Sequence, residues 1–542
     1  MTERGAPNYV LRALELFAGY GDSEAIVYSG RRVSYATLAA VTLDLASALA
    51  DRDVPPGSRV AILVPDQPEA AALQLALHLL GCRTAWIASY APQRDQAKFI
   101  KLSGADLLIY HPLMISPTSF LAGLTKSSDR LRVLSLGADS GPDELLPPPS
   151  AAQPSAAQPS AAQPSAAQPS TVPAGLAEIA ATAPEPESLF YSGGTTGTPK
   201  LIRHRQDFYR NLLDIAEYYL SIDEPPMRFL SGSSFSHVSG QLAGFLTLFE
   251  GGTLFQMDEF SPAGFLAAIE RESISSAFLT PALLYEVIDH PSATDTSSLR
   301  YLNVGGAAAS PDRLAQGIAR FGPVLRLVYG SSEAPLITDF PFLDHDEDRP
   351  DRLRSCGLPF LDTGIEIRDG QGRVQPAGEA GEVWVTGSLV MSGYALDSPP
   401  PAGAESTETG DDGWIGTGDI GYLDDEGYLY LVDRVSDMIV TSEAAANVYC
   451  RPIEDALQGH PAVRTAAVVG VPDENFGESV CAFVVPVPGA AITVADLRDH
   501  VKGQLNSLYT PRFIEFVDRL PMTELAKVDK RALRQAYESV SR

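Results

Sequence analysis

The residues best suited to chemistry form one short string, Tyr191-Ser192-Gly193-Gly194-Thr195-Thr196-Gly197-Thr198-Pro199-Lys200. A loop rich in glycine and threonine lets backbone N–H groups come close to anionic oxygens, and the hydroxyls add further donors. Lys200 adds a cation. The string is not a Walker A loop, because no Gly-Lys-Ser/Thr ending follows a four-residue spacer. A second candidate is Tyr329-Gly330-Ser331-Ser332-Glu333, directly after an apolar stretch. A carboxylate at the C-terminal end of a strand is well placed for a ligand crevice. Magnesium needs little more, since it binds one or two carboxylates together with phosphate oxygens and water.

Strands alternating with helices must carry these loops. Val60–Val64 reads as a buried strand, and Glu69–Leu80 as a helix with Asp66 near its start and Gly81 at its stop. Ala85–Ala88, Leu107–Tyr110 and Leu131–Leu134 repeat the theme, as do Thr253–Phe255, Ala277–Leu279, Leu299–Val304 and Val324–Tyr329. Such alternation predicts mostly parallel sheets joined by crossover helices. From about Asp362 the texture changes to hairpins, at Gly364–Gly372 and Gly421–Tyr430. From Asp433 onward the pattern is α+β: helix Ile453–Leu457, strands Val463–Val469 and Ser479–Val487, helix Val494–Leu508. The predicted class is α/β, with a large N-terminal domain of mostly parallel sheets and a small β-rich subdomain. A small α+β C-terminal domain completes it.

Between these parts, Ser-Ala-Ala-Gln-Pro repeats four times from Ser150 to Pro169. A proline at every fifth position stops helix propagation, and no large apolar side chain is present to bury. Residues 146–184 are therefore expected to be mostly an exposed, disordered insertion.

A chain of 542 residues needs more than one core. Its net charge of −28 repels nucleic-acid backbones and anionic lipid, which excludes those partners. An anionic nucleotide is still admissible, because placed N–H groups and cations act locally. Cys82, Cys356, Cys450 and Cys481 lie far apart, without zinc or redox spacing, and are expected to be reduced and mostly buried. Neither a signal core nor a stretch of bilayer length stands out, so the expected location is the cytoplasm.

The two strings resemble signatures of the adenylate-forming acyl-CoA synthetase superfamily, and three further motifs follow in that family's order. Trp414-Ile-Gly-Thr-Gly-Asp419 is similar to its Trp-x-x-Thr-Gly-Asp, and Asp433-Arg434 to its hinge pair. Pro521-Met-Thr-Glu-Leu-Ala-Lys527 is similar to its Pro-x-x-x-x-Gly-Lys. The resemblance implies an N-terminal adenylate-forming domain over residues 1–432 and a hinged domain over 433–542. It implies ATP, Mg2+ and a carboxylic acid as reactants, with CoA as co-substrate. Ser192, Gly193, Gly194, Thr195, Thr196, Gly197, Thr198 and Lys200 would then hold phosphates. Gly306 and Ala307 would flank adenine, and Tyr329 would stack on it, followed by Gly330, Ser331 and Ser332. Glu333 would hold the metal, Asp419 and Arg434 the ribose, and Asp433 would be the hinge. Lys527 would bridge the acid and the α-phosphate, so that Lys527, Thr195, Glu333 and His237 carry the catalysis. His237, Gly240, Gly305 and Gly306 would border the acid.

Several positions depart from the pattern. Gly193 replaces a serine, and Ala526 a glycine. Ser236 stands where amino-acid-activating members place an aspartate, so an α-ammonium would lack its partner and α-amino acids are disfavoured. Small residues at Gly240, Gly305 and Gly306 suggest a sizeable apolar or aryl acid. Val440–Asn447 lacks the glycines that family members use to form the thiol tunnel, and it is two residues longer. Adenylation is therefore expected, while the acyl acceptor stays open among CoA, a carrier protein and a partner enzyme. A luciferase-like monooxygenase and a catalytically silent nucleotide-binding homologue are the competing readings. The presence of both Glu333 and Lys527 argues against the silent one.

Overall fold

Short apolar strands assemble into two large sheets. The computed structural model describes residues 7–88, 91–114, 124, 131–137, 145, 172–192, 200–221, 225–257, 259–341, 350–395, 413–435, 437–441, 446–473, 477–523 and 527–540. In the six-stranded sheet the order is Arg132–Ser135, Leu107–Tyr110, Arg59–Leu63, Arg83–Trp86, Glu187–Ser192, Lys200–Arg205. All neighbours are parallel except the last pair, a hairpin closed by the rung Ser192↔Lys200. The string 193–199 is the connection of that hairpin and lies outside the described residues.

The nine-stranded sheet has a parallel centre and antiparallel edges. Its parallel run is Leu325–Tyr329, Tyr301–Gly305, Ser276–Leu279, Arg228–Ser231, Thr253–Gln256, Glu24–Tyr28. Parallel strands are buried on both faces and so read as continuous apolar runs. That is why these segments were legible: Leu107–Tyr110 and Thr253–Gln256 are buried at every position. Helix Pro68–Leu79 has proline in its first turn with Glu69, as favoured at a helix start, and is buried almost all round.

Each sheet has a point where its crossovers diverge. The connection from Arg59–Leu63 leads to Arg83–Trp86 on one side, and that from Leu107–Tyr110 to Arg132–Ser135 on the other. In the nine-stranded sheet the connection from Arg228–Ser231 leads to Thr253–Gln256, while that from Ser276–Leu279 leads away towards Tyr301–Gly305. Ligand crevices in open α/β sheets lie at such divergences, beyond the strands' C-terminal ends.

The hairpin region forms a four-stranded antiparallel sheet of Gly364–Arg368, Gly381–Thr386, Ile415–Leu423 and Leu429–Arg434. Beyond it, five strands and helices Cys450–Gln458, Val494–Gln504 and Lys530–Val540 have apolar clusters of their own. Bounds shift at several elements, such as helix Cys450–Gln458 for the expected Ile453–Leu457, and two changes stand out. Helix Val494–Gln504 stops four residues before Leu508 because the Asn506 side chain accepts the N–H groups of Leu508 and Tyr509. The tail of the expected insertion is ordered: Ala174–Thr182 is a helix that buries Leu176 and Ala180 in the main core. Residues 146–171, including the pentapeptide repeats, lie outside the described residues.

All four cysteines are free, and three are buried. Among the described residues no helix is long and apolar enough to cross a membrane.

Candidate active site

Glu333, Asp419, Arg434, Lys527 and His237 come from five separate segments and converge on one place. Tyr329 ends a strand of the nine-stranded sheet, and its hydroxyl donates to Asp419 Oδ2 at 2.6 Å. Arg434 Nε lies 3.0 Å from the other oxygen, Asp419 Oδ1. Burial and the Asp419 charge push the Tyr329 phenol well above its usual range, so it remains a neutral donor. Asp419 raises the Arg434 guanidinium in turn.

Lys527 reaches this cluster from the C-terminal end of the chain. A Cβ on Gly306 would lie 3.7 Å from Lys527 Cε. The ammonium makes no ion pair with any described residue. Burial, helped by Arg434, lowers its pKa, while Asp419 and Glu333 act in the opposite direction. A desolvated cation is costly to hold and suits an anionic ligand. The imidazole of His237 is lowered to about 4, by burial and then by the Lys527 charge, so it is neutral at pH 7.

The Glu333 carboxylate lies within electrostatic reach of Lys200, Lys527 and Arg434, and a carboxylate so placed suits a metal that takes most of its ligands from phosphate and water. Both lysines are drawn down by burial and held up by Glu333. The site therefore fits Mg2+ bound with a nucleotide, and Glu333 would hold the metal. Among the described residues no group of three His, Cys, Asp or Glu could hold a metal without such help.

Several candidates also hold the loops on which they sit. Ser331 Oγ accepts the N–H groups of Glu333 and Ala334, each at 3.2 Å, which shapes the turn beyond Gly330. Ser332 offers its carbonyl to His204 Nε2 at 2.9 Å. Gly240 and Gly305 are small for the sake of the backbone, contrary to the expectation that they make room for the acid. A Cβ on Gly240 would fall 2.0 Å from the Ser234 carbonyl oxygen, and one on Gly305 2.4 Å from that of Val328. Backbone packing requires both glycines, so neither reports on the size of the acid. Gly306, at φ +84°, is the one that opens towards Lys527 and Thr280. Ala307 follows it, exposed. Gly193, Gly194, Thr195, Thr196, Gly197, Thr198 and the side chain of Ser192 lie outside what is described, as does Ala526.

Asp433 caps a helix from outside it. Its carboxylate accepts the N–H of Cys450, the first residue of helix Cys450–Gln458, whose own preceding residue Tyr449 provides no side-chain cap. The same carboxylate accepts Arg434 N at 2.8 Å. The strands Ile439–Thr441 and Ala446–Val448 form a hairpin in the register Val440↔Asn447, so the long glycine-free loop continues as a ladder. Its tip, 442–445, is outside the described residues.

Two residues of the site, Tyr394 and Thr280, belong to no sequence motif. The Tyr394 hydroxyl donates to Glu333 Oε1 at 3.0 Å, and Lys200 Nζ lies 5.0 Å from the Tyr394 ring centroid. Thr280 Oγ1 is buried without a hydrogen-bond partner among the described residues, beside Gly306. The only local signal for Thr280 was its place at the end of a predicted strand.

Residues 15–395 match the AMP-binding enzyme family and 452–527 the AMP-binding enzyme C-terminal domain. A medium/long-chain-fatty-acid–CoA ligase of Mycobacterium tuberculosis is 38% identical over 375 residues, 66% of this chain and 63% of that protein. A feruloyl-CoA synthase of Amycolatopsis is 30% identical over 532 residues, 95% of this chain and 96% of that protein. The solved structure of an amide bond synthetase from Marinactinospora thermotolerans superposes with a TM-score of 0.80 at 34% identity, covering 97% of this chain and 100% of that one. The motif order, the convergence on Lys527 and these likenesses, two of them over nearly the whole chain, agree: the chain belongs to the AMP-binding enzyme family and is an AMP-forming ligase that activates a carboxylic acid with ATP.

Proposed function

We propose that the cluster around Lys527 forms an acyl-adenylate and that the CoA thiol then takes the acyl group, with AMP as the leaving group. The observation that carries this reading is the Lys527 ammonium, desolvated and without an ion pair among the described residues, beside Gly306 and His237. A substrate carboxylate oxygen attacks the α-phosphorus of ATP. The bond to the pyrophosphate oxygen breaks, and acyl-AMP and pyrophosphate result. Lys527 lies between the two anionic partners and offsets the charge that builds up on them. Mg2+, when bound, neutralises the phosphates and the departing pyrophosphate. Asp419 and Arg434 hold the ribose, Tyr329 lies against adenine, and Asp433 is the pivot about which the C-terminal part turns for the second step.

A second reading has specific support: the acyl group goes to an amine in place of CoA. The hairpin Ile439–Val448 lacks the glycines of a thiol tunnel, and the full-length structural likeness above is to an amide bond synthetase. Acid-dependent ATP–pyrophosphate exchange over fatty and aryl acids tests the first step. Adding CoA, then amines, separates the two acceptors by whether acyl-CoA or amide accumulates. No exchange with any acid, together with no binding of ATP, would overturn both readings.

A further inference from the structure

The segment that carries His237 is tied to the opposite sheet by one carboxylate. Ser231 ends a strand of the nine-stranded sheet, and Ser234-Phe235-Ser236-His237 leads from it into helix Val238–Phe249. Asp66 follows the strand Arg59–Leu63 of the six-stranded sheet. Both lie at the divergence points where crevices form. Across the cleft, Asp66 Oδ1 accepts the N–H of Phe235 at 2.8 Å and the hydroxyl of Ser234 at 3.0 Å.

The other side of the segment is clamped as well. Gln241 Nε2 donates to the Phe235 carbonyl at 2.9 Å, and Tyr209 donates to Gln241 Oε1 at 2.6 Å. Ser234 Oγ lies 2.8 Å from Ser236 Oγ, and His237 N donates to Ser234 O at 3.0 Å. The absent side chain of Gly240 lets the helix start close against Ser234.

Asp66 is half-buried and makes no ion pair with any described residue. Burial lifts it to about 6, against the pull of its two hydrogen bonds. A desolvated carboxylate without a cation costs stability. The return visible in the structure is the fixed path of the backbone before His237.

We propose that Asp66 is a positioning residue for acid binding: by holding Ser234 and Phe235 across the cleft, it sets His237 against Lys527 and fixes one wall of the acid pocket. This rests on the reading of His237 as a residue of that pocket.

The test compares wild type with Asp66→Ala, Asp66→Asn, Ser234→Ala and His237→Ala in ATP–pyrophosphate exchange. Ferulate and dodecanoate are the probes, and KM is measured separately for acid and for ATP. Asp66→Ala is expected to raise the acid KM about tenfold or more, with the ATP KM nearly unchanged. Asn can still accept from Phe235 N, so Asp66→Asn is expected to restore most of the loss. A second measurement needs no turnover: amide hydrogen exchange at residues 233–238 speeds up in Asp66→Ala and stays near wild type in Asp66→Asn. Ser234→Ala removes one of the two bonds and covers the case in which Asp66→Ala does not fold. If His237→Ala raises the acid KM while Asp66→Ala and Ser234→Ala do not, the inference fails and the pocket reading stands. If His237→Ala leaves the acid KM unchanged, the pocket reading itself fails. Unchanged hydrogen exchange at 233–238 in both Asp66→Ala and Ser234→Ala overturns the tie.

Discussion

Tyr329 and Asp419, 90 residues apart, share a 2.6 Å hydrogen bond that joins the end of a parallel strand to the antiparallel sheet. The bond orients a carboxylate that Arg434 holds from its other oxygen. Tyr329→Phe keeps the ring and removes the donor. Hydrogen bonds to charged groups contribute about 1.5–3 kcal/mol, so the ATP KM should rise about tenfold or more with the acid KM unchanged. Exchange kinetics at varied ATP check this.

Lys527→Ala should cut acid-dependent exchange by about 10²–10³, the usual cost of removing one electrostatic stabiliser of a transition state. Its ammonium makes no ion pair with the described residues, so the melting temperature should hold or rise. Exchange kinetics and calorimetry of the same preparation separate the two effects.

Tyr394 holds the carboxylate that would carry the metal. Tyr394→Phe should weaken binding of ATP in the presence of Mg2+ and leave binding of ATP in EDTA unaltered. Titration calorimetry reads both.

Two buried histidines, His78 and His204, and the half-buried His237 set the response to acid. Burial holds His78 at about 3, and His204 and His237 at about 4. In the unfolded chain each protonates near the ordinary value of roughly 6.5. Between these values the unfolded state binds more protons, so stability falls as pH drops below about 6.5. Asp66, raised to about 6, acts the other way and offsets part of the loss below that pH. The melting temperature should fall between pH 7 and pH 5, less steeply in His78→Gln.

Leu361 occupies the left-handed region at φ 48° and leaves 55% of its surface exposed. Left-handed backbone costs a non-glycine residue about 1–2 kcal/mol. Leu361→Gly should therefore raise the midpoint of urea unfolding, by an amount worth about 1 kcal/mol once glycine's greater unfolded-state freedom is subtracted.

What could be read from the chain followed contiguity. Tyr329–Glu333, Trp414–Asp419 and Lys527 each announced themselves within a few residues, and the strands did so because burial on both faces leaves uninterrupted apolar runs. The partners that fix them did not. Asp66 meets Phe235 across 169 residues, and Tyr394 meets Glu333 across 61. Neither has a local pattern, since a lone Asp before a helix and a Tyr after a glycine are ordinary. Gly240 and Gly305 do not reveal pocket size for a related reason: a missing side chain looks the same in sequence whether it makes room for a ligand or for a neighbouring carbonyl.

That distinction limits how the enzyme can change its diet. Gly240 and Gly305 are locked by the carbonyls of Ser234 and Val328, and Gly306 by its backbone angle. Selection for a new acid would find these three positions closed. Variation is left to side chains such as Thr280, which border the crevice without holding the backbone in place. Descendants of this scaffold should diverge there first, their glycines unchanged while their menus differ.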